Sequence, residues 1–487
     1  MEKSINAFPG YEFKRLEDGS YHNMYRGVDL GKGGWVYSEP GIYSNVALLD
    51  IQSMHPTSII ELNKLGKYTK RYAELKQARV LIKHKDYEKA SELFGGRLKK
   101  YLAAKESAKA LSKALKLPLN AFFGISFAAF DNPARDSRDK NNIIALRGAL
   151  FMKTLFDEVE QRGFRIVHVK TDSCKIPNAT LEIVQFVQEF AKKYGYEMEH
   201  EATYERMCLI DKAQYIASYA TEEQCMKLYG YCPDENKEYI ESNGHTWTAT
   251  GSEFQRPYIF KTLFSGETPS FDDKCETKSV KNAEIYLDLN EELPDVSAYE
   301  KELARRAFNA NHPEKPMKLN PEFDAMTKED LVEVVMTGHD YHFIGRVGRF
   351  YPIRPGKGGG LLVAHRNDKF DSVSGAKDYR WLEAERVKTL GYENNIDPRY
   401  HEEQVNEAIA AIAELGSFER FVDLSKPYIS EEAVEDRPKS PVDDYPFDLV
   451  PCGDNKYNTC MDCPNCVGDI CKRGYSLASY IEKGGDA

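Results

Sequence analysis

Apolar positions are concentrated in two stretches that predict β-strands. Residues 45–51 form a nearly continuous apolar run that ends in Asp50-Ile51, and residues 164–176 place apolar side chains on both sides of a turn. Short runs of this kind are typical of strands, and two runs around a turn indicate a β-hairpin. We therefore predict a strand over 45–51 and a hairpin over 164–176.

Other stretches are patterned as helices. Residues 68–116 are dominated by Ala, Leu, Lys and Glu and predict two helices joined near residues 94–96. Amphipathic helices are expected over Leu181–Tyr194 and Glu402–Phe421, and the acidic, Pro-bearing residues Ser430–Pro446 predict a linker.

Charge is distributed unevenly along the chain. The net charge is −11, yet residues 61–120 contain sixteen Lys or Arg and only six Asp or Glu. On a helix, Lys105, Lys109, Lys113, Lys116 and Asn120 share one face. A basic segment on an acidic body suits a protein that holds a polyanion at one place; the alternative is a solvated Lys-rich hairpin.

Composition indicates a soluble globular chain. The 487 residues are 41% hydrophobic, and they contain no apolar run long enough to span a membrane and no secretory signal. We expect a cytoplasmic protein without a membrane partner. In a reducing compartment its scattered cysteines are expected to be free thiols, namely Cys174, Cys208, Cys225, Cys232 and Cys275.

Three short segments carry the candidate chemistry. The first runs from Asp50 to Ile60 (DIQSMHPTSII), the second from Lys116 to Gly124 (KLPLNAFFG), and the third from His168 to Ser173 (HVKTDS). In this order they resemble motifs A, B and C of family B DNA-dependent DNA polymerases, of the kind encoded by tailed bacteriophages. Residues 33–36 (GGWV) and 212–215 (KAQY) resemble two further DNA-contacting motifs of that family. The resemblance covers about residues 25–270.

The resemblance implies a two-metal site for phosphoryl transfer. Asp50 and Asp172 would be the catalytic carboxylates, and together with the Ile51 carbonyl they would hold two Mg²⁺ ions, which prefer oxygen ligands. It also implies sites for the incoming deoxynucleoside triphosphate (dNTP) and for primer–template DNA. Nucleotide-binding candidates are Ile51, Ser53, Met54, His55, Arg79, Lys113, Lys116 and Asn120. DNA-binding candidates are Gly33, Gly34, Gly124, Lys170, Thr171, Lys212 and Tyr215. For Lys113 and Arg79 a solvated surface role is the alternative.

Several positions depart from the family pattern. His55 replaces the tyrosine that excludes ribonucleotides, and Lys170 replaces the first aspartate of motif C. We interpret His55 as a steric gate and His168 as a packed, satisfied strand histidine, with a proton shuttle as the alternative for His168. Pro118 lies inside the predicted helix, where it removes a backbone hydrogen bond and predicts a kink.

The spacing of the motifs bears on partner proteins. Only 49 residues precede Asp50, whereas the family places a 3′→5′ exonuclease domain of a few hundred residues there. We therefore expect the exonuclease domain to be absent from this chain, and a separate exonuclease or other replisome chain as a partner. About fifty residues separate successive motifs. This spacing leaves little room for the insertion found there in protein-primed polymerases of the family, so the resemblance favours priming from a nucleic-acid 3′-end.

Five further cysteines form a cluster near the end of the sequence. Their C-x7-C-x2-C-x2-C-x4-C spacing predicts a metal site, with zinc as the first choice and an iron–sulfur cluster as the alternative. The expected ligands are Cys460, Cys463, Cys466 and Cys471, with Cys452 as a fifth candidate.

The predicted architecture is an α+β right-hand polymerase fold plus a small Cys-rich module. Residues 1–60 and 121–265 would form a palm with an antiparallel sheet. Residues 61–120 would form two-helix fingers, and residues 266–430 a mainly helical thumb and C-terminal region. Residues 447–487 would be the metal-binding module. Two other functions remain open: a catalytically weak, template-binding replisome subunit, and a primase-like polymerase.

Overall fold

The computed structural model describes residues 5–17, 19–128, 130, 132, 142–290, 296–366, 369–426 and 428, and the backbone of 466–467 and 470–471. The chain divides into two units, Met1–Asp423 and Leu424–Ala487. In the first unit, three strands form an antiparallel sheet in chain order: β1 (Tyr11–Arg15), β2 (Tyr21–Tyr25) and β3 (Val28–Asp29).

Seven strands form a central sheet whose neighbouring strands are all antiparallel. They are β4 (Val36–Ser38), β5 (Gly41–Ile51), β6 (His168–Lys170), β7 (Ser173–Ile176), β8 (Met198–Leu209), β9 (Tyr215–Tyr219) and β10 (Trp247–Thr250). Their order across the sheet is β10-β9-β8-β5-β7-β6-β4. The predicted strand over 45–51 is confirmed as part of β5. The predicted hairpin is also confirmed, although β6 begins at His168 rather than at Phe164.

Nine helices lie between or beside these strands in the described residues. They are α1 (Met54–Glu61), α2 (Thr69–Lys83), α3 (Tyr87–Glu92), α4 (Lys105–Phe127), α5 (Ile143–Glu160), α6 (Leu181–Lys193), α7 (Glu222–Tyr229), α8 (Asp234–Asn243) and α9 (Pro257–Phe260). The amphipathic helix predicted over 181–194 is α6, which begins where the Thr180 side chain accepts a hydrogen bond from the Ile183 N–H. The basic segment contains the predicted pair of long helices, α2 and α4, and also the short α3.

Alternation along β5 divides its side chains between two apolar cores. Ala47, Leu49 and Ile51 enter a core that includes buried residues of α5 and α6. Val46 and Leu48 enter a second core on the other face, next to tyrosines of β8 and β9. Because successive side chains of a strand point to opposite faces, Asp50 lies on the same face as Val46 and Leu48, where the strand reaches the edge of the core.

Helices α2 and α4 pack on each other through their own small core, which contains Ala78, Ile82, Ala108 and Leu115. The lysines at 105, 109, 113 and 116 are exposed on α4, whereas Leu115 and Leu119 are buried. The predicted amphipathic pattern of this helix is therefore confirmed. The helix runs through Pro118 without ending there.

The remaining described part of the first unit is mixed. Its strands are β11 (Glu276–Ser279), β12 (Glu284–Asp288), β13 (Tyr341–Gly345), β14 (Val347–Ile353), β15 (Leu361–Arg366), β16 (Lys369–Ser372) and β17 (Arg380–Glu383). Its helices are α10 (Ser297–Asn311), α11 (Lys328–Thr337), α12 (Ala384–Leu390), α13 (Pro398–Ala413) and α14 (Phe418–Val422). The strands form two antiparallel sheets, β11-β14-β17 and β13-β12-β15-β16.

The prediction of a mainly helical region over 266–430 is therefore only partly right. Its strands are four to seven residues long, and runs of that length carry too few apolar positions to fix a period. The helix predicted over 402–421 is present as α13 and α14.

In the second unit, the described backbone forms a two-stranded antiparallel pair, β18 (Cys466–Val467) and β19 (Ile470–Cys471). Cys466 pairs with Cys471 in this ladder, while Cys452, Cys460, Cys463 and the predicted linker 430–446 lie outside the described residues. The metal prediction for this cluster stays a prediction. None of the described helices is long and apolar enough to cross a membrane.

Candidate active site

Two predicted catalytic carboxylates lie at the ends of adjacent strands. Asp50, the penultimate residue of β5, pairs with Ser173 of β7, and the Ile51 N–H donates to the Asp172 carbonyl oxygen at 2.8 Å. On its other side, Asp50 pairs with Glu199 of β8. The β6–β7 hairpin thus brings Asp172 to the same corner of the sheet as Asp50, although more than one hundred residues separate them in the sequence.

A third carboxylate reaches this corner through an irregularity in β8. Leu49 pairs with His200, but Leu48 pairs with Ala202, so Glu201 is an extra residue in the ladder. An extra residue of this kind is a β-bulge, which re-aims the side chains beside it. Glu201 accordingly lines the same cavity as Asp50 and Asp172.

The carboxylates share an environment that disfavours their charged forms. Burial, together with the charges of Asp172 and Glu201, raises the pKa of Asp50 to about 8. Burial also raises the pKa of Asp172 and that of Glu201. Carboxylates that are partly desolvated and repel each other form a site that a cation would stabilise.

Opposite the carboxylates, helices α2 and α4 supply cationic and amide groups. A cavity of about 470 Å³ is lined by the carboxylate corner, by the turn from β5 into α1, and by Arg79, Lys83, Lys116 and Asn120. Of the predicted nucleotide-binding residues, Ile51, Ser53, Met54, His55, Arg79, Lys116 and Asn120 line this cavity. Lys113 does not line it and is exposed on α4.

The turn between β5 and α1 is held by a hydrogen bond at a residue with positive φ and by side-chain packing. Ser53 has a positive φ of 60°, and its hydroxyl accepts a hydrogen bond from Arg79 Nη1 at 3.0 Å. The Met54 side chain packs against Gly148 of α5, where an added Cβ would lie 2.4 Å from its sulfur atom. The turn is thereby connected to α2 on one side and to α5 on the other.

One wall of the cavity is aromatic. The ring of His55 stacks on that of Phe123 in α4, with centroids 4.0 Å apart and planes inclined by 21°. Burial lowers the pKa of His55, so its imidazole is neutral near pH 7. His55 lines the cavity, and Phe123 packs against the His55 ring without lining the cavity itself.

An ion network on the rim joins α2 to β8. Lys83 Nζ lies 2.7 Å from Glu199 Oε2, His84 Nε2 lies 2.8 Å from Glu199 Oε1, and the Gln52 amide also donates to Glu199. Burial acts to raise the pKa of Glu199, but the hydrogen bond and charge of Lys83 outweigh it and lower that pKa. Glu199 is therefore ionised near pH 7.

Sequence reasoning missed Lys83, Glu199 and Glu201. Lys83 lies one helical turn after Arg79, so the spacing of the two cations in α2 could have indicated it. For Glu199 and Glu201 the decisive information is the register of β8 against β5, which no local pattern contains.

The predicted glycine motif and the third segment are neighbours. Lys170 pairs with Val36, and the Thr171 N–H donates to the Trp35 carbonyl oxygen at 3.1 Å. A Cβ on Gly34 would lie 2.9 Å from Thr171 Cγ2, whereas one on Gly33 would meet nothing within 4 Å. Gly34 is thus required by close packing on the turn that carries Asp172.

The other DNA-binding candidates differ in exposure. Lys170, Lys212 and Gly124 are exposed, and none of them lines the cavity. Tyr215 is buried, with its hydroxyl 3.4 Å from that of Tyr204. Tyr215 therefore packs inside the sheet and offers little surface to a nucleic acid.

His168 is packed and satisfied, as predicted. It is 0% exposed, its Nε2 donates to the Lys212 carbonyl oxygen at 3.2 Å, and its Nδ1 lies 3.1 Å from Lys175 Nζ. Burial and the Lys175 charge lower the pKa of His168 to about 4, and burial lowers that of Lys175 to about 8. This placement favours packing over a proton shuttle. The five scattered cysteines are free thiols.

No protein-family model matches the chain, and no curated protein matches it. Among solved structures, the chain is similar to the family B DNA polymerase from the hyperthermophilic archaeon Pyrobaculum calidifontis, with a TM-score of 0.38 and 12% sequence identity. The alignment covers 78% of this chain and 46% of the archaeal chain, so this chain spans less than half of that polymerase. The mixed α+β fold with antiparallel sheets is compatible with a polymerase-like fold, but a similarity of this size carries no weight for the activity.

Proposed function

We propose that this protein is a template-directed DNA polymerase that adds deoxynucleotides to a primer 3′-end. One observation carries the proposal: Asp50 and Asp172 meet at one corner of an antiparallel sheet and line a cavity that Arg79, Lys83 and Lys116 also line. Paired carboxylates and cations in one cavity suit the transfer of a nucleotidyl group from a triphosphate.

The carboxylate corner fits divalent cations. Its donors are all oxygen, and burial raises the pKa values of Asp50, Asp172 and Glu201, so a cation would stabilise their ionised forms. Mg²⁺ suits such a donor set, with Asp50, Asp172 and the Ile51 carbonyl as its holders. When bound, two such ions lower the barrier by stabilising the charges of the attacking and leaving oxygens.

The other groups of the cavity position the substrate. Arg79, Lys83 and Lys116 provide positive charge for the triphosphate, and the Arg79 hydrogen bond to Ser53 holds that guanidinium beside the turn. The His55–Phe123 wall would lie against the sugar of the incoming nucleotide and restrict the space at its 2′ position. Gly34 and Lys170 lie beside the turn that carries Asp172, where the primer–template would approach.

Primer extension on a primed DNA template with Mg²⁺ tests the proposal. We expect extension by the wild type, none by Asp172→Asn, and wild-type extension by Glu189→Gln, which changes an exposed carboxylate of α6. The absence of extension by the wild type would contradict the proposal and favour a template-binding replisome subunit. Products formed without a primer would favour the primase-like alternative. The same gel records primer shortening, which would contradict the expected lack of exonuclease activity.

We propose in addition that the clustered cysteines bind zinc, with an iron–sulfur cluster as the alternative. Elemental analysis of the purified protein would measure zinc and iron. Cys463→Ser and Cys466→Ser should lower the bound metal, and Cys208→Ser is the control because Cys208 is a buried free thiol. Unchanged metal content in the cluster variants would contradict the proposal.

A further inference from the structure

The four-stranded sheet of the C-terminal part carries an aromatic outer face. Strand register places Tyr286 of β12 opposite Phe343 of β13, and His365 of β15 opposite Phe370 of β16. Tyr341 begins β13, two residues before Phe343, so it shares the side of the sheet with Phe343. We call these five side chains the aromatic face. The intervening side chains Ile285, Leu287 and Leu362 enter the core on the other side of the sheet.

The rings of the aromatic face are ordered by stacking. Tyr341 and Phe370 have centroids 4.1 Å apart and planes inclined by 4°, and Phe370 and His365 are 4.5 Å apart at 29°. His339 extends the column by stacking on Tyr341 at 4.7 Å and is held by Asp288 at 2.6 Å. Tyr286 meets Tyr341, Phe343, His365 and Phe370 edge-on. The face is therefore preorganised, so little side-chain entropy remains to be lost on binding.

The face is also open to solvent. Phe343 is 61% exposed, and Leu361, which begins β15 of the same sheet, is 44% exposed, whereas the other four rings of the face are half-buried. Large apolar side chains with this exposure on one sheet indicate a binding site.

Cations lie at one end of the same sheet. Lys281 precedes β12, Arg346 follows β13, Arg366 ends β15 and Lys369 begins β16, and all four are exposed. A hydrogen bond joins the end of β15 to the residues before β12, because Arg366 Nη2 donates to the Lys281 carbonyl oxygen at 2.8 Å. Among the described residues, the exposed carboxylates there are Glu284 and Asp371, and Asp371 is paired with Lys369 at 2.7 Å.

We propose that the aromatic face binds single-stranded nucleic acid, with a base stacked on the exposed ring of Phe343 and phosphates at the basic strand ends. Aromatic rings on an open antiparallel sheet bordered by cations suit unpaired bases, whose faces are free to stack, and do not suit a duplex, whose bases are already stacked. An apolar peptide would use the rings but would have no need of the four cations. The proposal does not rest on polymerase activity. In a polymerase, the face would hold the unpaired template strand.

Photocrosslinking of the full chain locates the binding directly. The probe is a thymidine-rich single-stranded oligonucleotide of about 20 residues that carries 5-iododeoxyuridine, which crosslinks to aromatic side chains stacked on it. We expect mass spectrometry to identify crosslinked peptides that contain Phe343. Phe343→Ala should remove these crosslinks and weaken binding about five-fold to a hundred-fold in fluorescence anisotropy, since one stacked base is lost. Leu390→Ala is the control, because Leu390 is an apolar side chain of α12 that is 50% exposed.

A second variant tests the cationic end. Arg346→Ala should lower the salt dependence of the affinity by about one unit in the slope of log K against log salt, while Arg386→Ala on α12 should leave the slope unchanged. Competition by an unlabelled single strand, but not by a duplex of the same length, is the expected result.

Crosslinks confined to other peptides, with equal affinities for Phe343→Ala and the wild type, would overturn the proposal and leave a protein partner as the occupant. Asp172→Ala should keep the crosslinks to the aromatic face. A loss of primer extension and a loss of this binding are therefore separate results.

Discussion

At the scale of single residues, the surroundings of the Asp50 carboxyl group determine its pKa. Its pKa rises from 3.8 to about 8 because burial and neighbouring carboxylates disfavour the ionised form. Between these two values the folded chain holds a proton that the unfolded chain releases. The contribution of Asp50 to stability therefore falls as the pH rises from about 4 to 8, and a bound cation would reverse that loss.

This protonation predicts that Mg²⁺ and a proton compete at Asp50. At pH 6, two units below its pKa, Asp50 is almost fully protonated, and the competition should weaken Mg²⁺ binding up to about 100-fold relative to pH 8.5. The increase in Tm caused by Mg²⁺ should therefore be larger at pH 8.5 than at pH 6. Differential scanning fluorimetry measures this, with NaCl of equal ionic strength as the control. Equal increases at both pH values would contradict the prediction, and Asp50→Asn should remove the difference.

His55 is expected to discriminate between sugars. His55→Ala should open the wall beside the nucleotide and raise ribonucleotide incorporation relative to deoxynucleotide incorporation by about tenfold or more. Single-nucleotide extension assays give the ratio. His22→Ala, on β2, is the control. A ratio unchanged by His55→Ala would show that stacking on Phe123 has a structural role only.

The placement of Asp50, Asp172 and Lys116 could be expected from the sequence, because each lies in a short segment with a recognisable order of residue types. The carboxylates Glu199 and Glu201 could not. Their place beside Asp50 depends on the pairing of β8 with β5, and that pairing is decided by cores on both faces of the sheet.

At the scale of elements, the turn after β6 packs against Gly34, which lies just before β4. Gly34→Ala should be harmful for two reasons: the backbone there has a positive φ of 121°, and the new Cβ would collide with Thr171. We expect a cost of about 1–3 kcal/mol, together with slower primer extension as the Asp172 turn shifts.

Gly33→Ala is the matched control for that change, because its Cβ would meet no atom within 4 Å. Thermal unfolding and extension rates compare the two variants. Similar effects at positions 33 and 34 would indicate that backbone flexibility, rather than contact with Thr171, explains the need for glycine.

Element prediction succeeded where the pattern was long and failed where it was short. Helices α4 and α6 show their apolar faces over several turns, and β5 has an apolar run that few other elements could explain. Strands such as β12 and β15 contain too few residues for a reliable period. The partners of β12 also lie roughly 50 to 80 residues away, so its β structure follows from tertiary contacts.

At the scale of the whole first unit, Arg206 joins the central sheet to its last helix. The side chain is 0% exposed, and Nη1 lies within 3.2 Å of the carbonyl oxygens of Arg420, Phe421 and Asp423. This buried guanidinium donates to several carbonyl oxygens and so holds the C-terminal end of α14 against β8.

Arg206→Met should lower the free energy of unfolding by about 3 kcal/mol or more, because carbonyl groups would remain buried without this donor. The midpoint of urea unfolding measures the loss. Arg162→Met, which removes a surface ion pair with Glu158, should cost less than about 1 kcal/mol. A loss at Arg206 no larger than that at Arg162 would mean that the connection to α14 contributes little.

The bulge in β8 makes the site sensitive to the number of residues in the strand as well as to their identity. Removal of Glu201 would restore regular pairing with β5, because the residues on either side of it would keep their present partners. Such a deletion would take the third carboxylate out of the cavity and straighten the strand next to Glu199. Changes in chain length should therefore be tolerated at surface turns, such as that around Gly244 after α8, and rejected within β8. For this protein, the number of residues in β8 is as strict a constraint as the identity of the acidic residues in that strand.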